Sequence, residues 1–192
     1  MKSINFKKIA VTGIALVGLG TAAVATTQIA EPTIAQAASS KIKISQSSAI
    51  KKFHAKYKKA KIESITLEKE HGRYVYEIER YTSTREYDMK INASSGKVIS
   101  HHSEKMDHDD RAEMDHDDRA EKRAINLKKT ISRSTASKIA QKKVSGSKAV
   151  EWTLNRSGKR TVWDVTVTKH GNESEVKIDA HTKKVLSVDY DD

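Results

Sequence analysis

The stretch Ile91-Asn92-Ala93-Ser94-Ser95-Gly96-Lys97-Val98-Ile99-Ser100 returns 87 positions later as Ile178-Asp179-Ala180-His181-Thr182-Lys183-Lys184-Val185-Leu186-Ser187. The same offset lays Ile44–Ser100 on Ile131–Ser187 without a gap, with 18 identical residues in 57 positions. Ile44/Ile131, Ser45/Ser132, Ala49/Ala136, Thr66/Thr153, Leu67/Leu154, Arg73/Arg160 and Val75/Val162 are among them, and Tyr76/Trp163 and Asn92/Asp179 are conservative. An internal repeat sets the organisation before any finer reading. The chain carries one module twice, at about 44–101 and 131–189.

Each copy reads in the same order. Ser45 and Ser132 can cap a helix N-terminus, because a short hydroxyl accepts from a free first-turn N–H. Ala49, Ile50, Phe53, Tyr57 and Ala60 then recur at three and four, as one apolar helical stripe. Ala136, Ala140 and Val144 repeat it more weakly, and Gly146 suits the helix end. Next the period becomes two: Ile65 and Leu67; Tyr74, Tyr76 and Ile78; Tyr87, Met89 and Ile91; a short closing strand at Val98–Ser100. In the second copy the runs are Trp152 and Leu154; Trp163, Val165 and Val167; Val176 and Ile178; then Val185–Val188. Gly- and Ser-containing turns separate them, among them His71-Gly72, Ser157-Gly158 and Gly171-Asn172. The expected fold is α+β, two tandem repeats, each one helix packed on a four-stranded antiparallel sheet. A module of this size buries a small core and is marginal alone. The two copies are therefore expected to pack together or to dimerise.

The opening Ile44-Ser45 with Ala49 and Lys51, the strand Tyr74–Glu79 and the doubled closing stretch resemble the PepSY domain, whose ending is typically D-A-x-T-G-x-V-L-x-V. Copy two has Lys183 where glycine is usual; copy one keeps Gly96 but has Asn92 and Ser95 for Asp and Thr. The resemblance covers about 114 of the 192 residues. It implies an exported protein that binds at the cell surface or restrains a peptidase, with no catalytic residues to transfer.

The first residues read as an address. Lys2, Lys7 and Lys8 precede an uncharged run from Ile9 to Ala25, and Ala35-Gln36-Ala37 offers a small-residue cleavage site. That is the pattern of a secretory signal peptide over 1–37. The only proline, Pro32, lies inside it, so an L-P-x-T-G wall-sorting motif is excluded. No later run is long and apolar enough to span a membrane. There is no cysteine, which excludes disulfides, Cys-ligated zinc, a thiol nucleophile and an acylated lipoprotein anchor. A secreted, envelope-associated protein of a Gram-positive bacterium is expected.

The formal net charge of +11 is unevenly spread. Lys41–Ile62 holds eight lysines and no acid, and Ala124–Lys148 holds seven basic residues and no acid. On the helical wheel Lys51, Lys52, Lys58, Lys59, Lys138 and Lys142 lie away from the apolar stripe. They are either a solvated face or a footprint for a polyanion, such as an anionic wall polymer or lipid headgroups. Nucleic acid is not expected, since no aromatics interleave with the lysines.

Between the copies, at 102–130, lies a linker in which Met106–Glu113 is repeated at once as Met114–Glu121. His101, His102, His108, Asp109, His116 and Asp117 could bind a metal weakly. The competing reading is a solvated helical spacer with Asp107/Arg111 and Asp115/Arg119 pairs at i,i+4. No cofactor is expected. G-x-S-x-G, H-E-x-x-H, a P-loop and G-x-G-x-x-G are all missing, and His54, His71, His170 and His181 are scattered. The chain therefore reads as a non-enzyme. The leading expectation is a binding protein with a secreted or membrane peptidase as partner, through a sheet face or edge. The rivals are a wall-associated polycation and a linker that scavenges metal.

Overall fold

The computed structural model describes residues 41–58, 60–81, 85–105 and 124–191. Helix α1 (Gln46–Lys56) is followed by strands β1 (Ser64–Glu70), β2 (Arg73–Tyr81), β3 (Arg85–Asn92) and β4 (Val98–Lys105). A short 3-10 turn (Leu127–Lys129) leads into α2 (Arg133–Lys143), then β5 (Lys148–Ser157), β6 (Arg160–Lys169), β7 (Asn172–Asp179) and β8 (Val185–Tyr190). The described residues of both copies lie within one compact unit.

The repeated closing stretch ties each copy together. Asn92 Oδ1 accepts from the amides of Ser94 (2.9 Å) and Ser95 (2.8 Å); Asp179 Oδ1 accepts from those of His181 (3.0 Å) and Thr182 (2.8 Å). Such Asx turns replace backbone partners lost where a strand ends. The next residue, Ala93 or Ala180, is completely buried. Its amide donates to the carbonyl of Tyr74 or Thr161, and its carbonyl accepts from the amide of Ile44 or Ile131, just ahead of the helix. Tyr76 Oη donates to the Ile44 carbonyl at 3.2 Å, and Trp163 Nε1 donates to the Ile131 carbonyl at 3.1 Å. Two different aromatics, related by the repeat offset, thus reach equivalent acceptors. One residue further on, Ser45 and Ser132 cap their helices through Ser48 N and Thr135 N.

Each copy supplies one helix and four antiparallel strands, and the two sets of strands join edge to edge in a single sheet instead of forming two. One eight-stranded sheet runs β4-β3-β2-β1-β5-β6-β7-β8, antiparallel throughout. β1 pairs with β5 in the register Ile65↔Leu154, Thr66↔Thr153, Leu67↔Trp152. The repeat offset exchanges the partners within this register, so an approximate two-fold axis passes between Thr66 and Thr153. Their hydroxyls share a hydrogen bond at 3.1 Å. The seam forms because an isolated copy would leave the β1 edge with unpaired N–H and C=O groups. It would also leave Ile65 and Leu67 covered on one side only.

Both helices pack on the same face. Ala49 and Phe53 of α1 and Ala136 and Ala140 of α2 join one buried cluster with Ile65, Leu67, Tyr76, Ile78, Met89, Ile91, Leu154, Trp163, Val165, Val176 and Ile178. Ile50, Tyr57 and Val144 contribute from its margin. Trp152 is also buried, and its Nε1 donates to Ser137 Oγ at 2.8 Å. Of the stretch 102–130, residues 102–105 continue β4. Ile125 is buried, and its amide donates to the Ile62 carbonyl at 2.8 Å, so the chain entering copy two rests on copy one. The eight-residue repeat lies outside the described residues.

Candidate binding faces

The helical face is basic. Lys51, Lys52, Lys58, Lys138 and Lys142 are all exposed; Lys59 lies outside the described residues. Neither helix has an acid in its first turn.

The other face of the sheet has the opposite sign. Side chains alternate along a strand, so the residues between the core positions share the helix-free face. In copy one the paired strands place Glu68, Glu70, Glu77, Glu79, Glu86 and Asp88 there, with Lys90 among them. In copy two they place Asp164, Glu173, Glu175 and Asp189 there, around Lys177. Counting charge along the chain hid this face, because its acids are dispersed along the strands among apolar and basic residues.

Two lysines, equivalent by the repeat, organise it. Lys90 Nζ lies 2.7 Å from Glu70 Oε1 and 3.5 Å from Glu77 Oε2. Lys177 Nζ lies 3.6 Å from Asp164 Oδ1, whose other oxygen accepts from Asn155 Nδ2 at 3.1 Å. Burial lowers the Lys90 pKa, but Glu70 and Glu77 outweigh it and hold the ammonium above its ordinary range. Burial likewise raises Glu68, Glu77, Glu79, Asp164 and Glu175, with neighbouring carboxylates adding to each and Lys90 or Lys177 opposing. These groups are poised to take up protons above the usual carboxylate range. Glu68, Glu70 and Glu77 bring their oxygens within 4.8 Å of one another, a spacing that could hold a cation. The Lys90 ammonium already occupies that role.

Of the six residues that could bind a metal weakly, only His101 and His102 are among the described residues. His101 and His102 are consecutive on β4, so they point to opposite faces. His102 Nε2 instead meets Glu104 Oε2 at 3.0 Å, both exposed. His108, Asp109, His116 and Asp117 lie outside the described residues. His71, His170 and His181 are exposed in turns, and His54 lies edge-on to Phe53 with ring centroids 5.8 Å apart. Among the described residues no helix is long and apolar enough to cross a membrane. Among the described residues the outer strands β4 and β8 have one unpaired edge each, and on β4 Val98 and Ile99 are 44% and 55% exposed.

No curated protein matches the chain. Among solved structures, the candidate lipoprotein CD1622 from Clostridium difficile 630 is 28% identical with a TM-score of 0.68, over 79% of this chain and 95% of that one. This chain has no cysteine. The YpmB protein from Bacillus subtilis is 18% identical with a TM-score of 0.34, over 78% of this chain and 99% of that one. The Bacillus megaterium YpeB C-terminal domain is 17% identical with a TM-score of 0.31, over 80% and 68%. The sequence profile of the peptidase propeptide and YPEB domain, PepSY, matches twice, at residues 43–102 and 130–189. With the same module found by internal repeat, by fold and by profile, the chain belongs to the PepSY family and carries its domain as a tandem pair.

Proposed function

We propose that this chain is a non-enzymatic binding protein, exported through the signal peptide at 1–37 and retained at the cell envelope, that engages a protein partner through its sheet. A peptidase is the partner the family description favours. The observation that supports this most is the second face of the continuous eight-stranded sheet, where half-buried carboxylates and two lysine networks have no helix over them among the described residues. The unpaired edges of β4 and β8 offer a second mode, since an edge strand can take a partner strand by main-chain hydrogen bonds.

A second reading is supported by the exposed Lys51, Lys52, Lys58, Lys138 and Lys142 in two acid-free segments. On this reading the helical face binds a polyanion such as an anionic wall polymer or lipid headgroups. Exposed charges are screened over roughly 10 Å at 0.1 M salt. Purified residues 38–192, immobilised and exposed to envelope extract at low and high salt, test both readings. A peptidase retained at high salt supports the first. Anionic polymer bound at low salt, with nothing retained at high salt, supports the second and removes the first.

A further inference from the structure

The two faces of the sheet carry opposite charges in one shared arrangement. β1 and β5 are antiparallel neighbours and both helices pack on one side, so the approximate two-fold axis runs normal to the sheet. α1 packs on β2, and α2 packs on β6, the repeat equivalent of β2, and on its neighbours β5 and β7. Lys51 and Lys138 are repeat equivalents, and both are exposed. Buried residues stand two positions before and two after each of them, Ala49 and Phe53 or Ala136 and Ala140. Two positions turn a helix by about 200°, so both lysines point away from the sheet. On the opposite face Glu77, Glu86 and Asp88 have acidic equivalents in Asp164, Glu173 and Glu175. They stand on β2 and β3 and on β6 and β7, on and beside the strands that carry the helices. The exposed large hydrophobic side chains among the described residues, Val98, Ile99 and Tyr190, all lie on the outermost strands. Charge, more than apolar area, therefore distinguishes the two faces.

We propose that a second copy of this chain docks its helical face on the helix-free face of the first. The proposal adds a partner to the two readings above and depends on neither. A shift along the two-fold axis brings α1 and α2 of one copy against the acids of both modules of the other at the same time. Two contacts made together hold more tightly than either alone. The two faces differ, so the contact is heterologous and can repeat, leaving an acidic face free at one end of the stack and a basic face at the other. The net charge of +11 opposes stacking. Salt at 0.1 M screens charge over roughly 10 Å. The centres of stacked copies, each a helix layer on a sheet layer, are about 20 Å apart. Opposite charges in contact thus survive screening better than the repulsion between centres does.

The test is sedimentation equilibrium of residues 38–192 at about 0.1 M salt. The expected result is an average mass that climbs with concentration past the dimer and returns to the monomer at about 1 M salt. E86K/E173K and K51E/K138E each replace exposed residues and reverse charge on one face only. Each variant alone should associate about tenfold more weakly than the wild type. Mixing the two should restore association, because an alternating stack again joins opposite charges at every contact. Both variants stay net positive, so net charge cannot draw them together. A mass that stops at the dimer, a mass indifferent to salt, or a wild-type chain that stays monomeric would overturn the proposal. So would a mixture that associates no better than its components. If either variant melts below the wild type, the wild-type dependence on salt and concentration decides. Failure here leaves the peptidase and polyanion readings standing, since envelope extract tests those separately.

Discussion

Lys183 is held at φ 67°, in the left-handed region, where copy one has Gly96 at φ 73°. A residue with a Cβ pays about 1–2 kcal/mol to adopt that conformation. Glycine returns about 0.5–1 kcal/mol through the greater freedom of its unfolded chain. Lys183→Gly should therefore stabilise the protein by roughly 0.5–1 kcal/mol. Gly96→Ala should do the reverse and more. Its Cβ would meet Ile44 Cγ2 at 3.3 Å and Lys52 Cε at 3.4 Å. The lysine can move, but Ile44 is tied by its amide to Ala93. A loss of about 1–2 kcal/mol is expected. The assay is equilibrium urea unfolding of residues 38–192, followed in parallel by tryptophan fluorescence and far-ultraviolet circular dichroism. Both tryptophans, Trp152 and Trp163, lie in copy two, whereas dichroism reports both copies. A continuous sheet predicts that the two signals move together in each variant. An unchanged or lowered midpoint in Lys183→Gly would refute the reasoning, because the hydrogen bonds of that turn come from backbone and from Asp179 and Thr182, not from the lysine side chain.

Three further outcomes follow from the geometry. Residues 124–191 alone should melt about 10 °C or more below the joined pair, since the fragment loses β1 and uncovers Trp152 and Leu154; equal melting would show that the seam adds no stability. Glu68, Glu77, Glu79, Asp164 and Glu175 have folded pKa values raised above the unfolded ones, so the folded state holds more protons and stability should rise as pH falls from neutral into the carboxylate range. At Asp179 burial raises the pKa, but the amides of Thr182 and His181 outweigh it and lower it, so its contribution is present above the unfolded pKa and is lost as pH falls through the depressed folded one. A melting-temperature series from about pH 8 to about pH 3 should thus peak on the acid side of neutral, and Glu77→Gln with Asp164→Asn should flatten the neutral limb. Tyr76→Phe should cost about 1 kcal/mol by removing the donor to the Ile44 carbonyl, measured by the same urea titration.

Much of each module was legible along the chain. Local periodicity marks the helix through Ala49 and Phe53 and the strands through Tyr76 and Ile78, because three-four and two-residue spacings follow from backbone geometry. The serine caps and the Asn92 and Asp179 turns are equally local. The seam was not legible. Nothing in the alternation of Ile65 and Leu67 says that their neighbours across the ladder are Leu154 and Trp152, since edge pairing is a non-local choice between backbones. The acidic face escaped for a related reason. Glu77 and Lys90 are thirteen residues apart and meet only through the β2–β3 register. The basic helical residues were visible at once because Lys51 and Lys52 are neighbours in the chain.

The way β1 meets β5 bears on how such a protein could grow. Each module contributes its own first strand to a shared, isologous contact, so that contact is used up once two modules have met. A third copy spliced onto the chain would find no vacant partner of the same kind, in contrast to head-to-tail arrays that lengthen without limit. Larger assemblies would have to be built through a different surface, and this architecture closes at a pair.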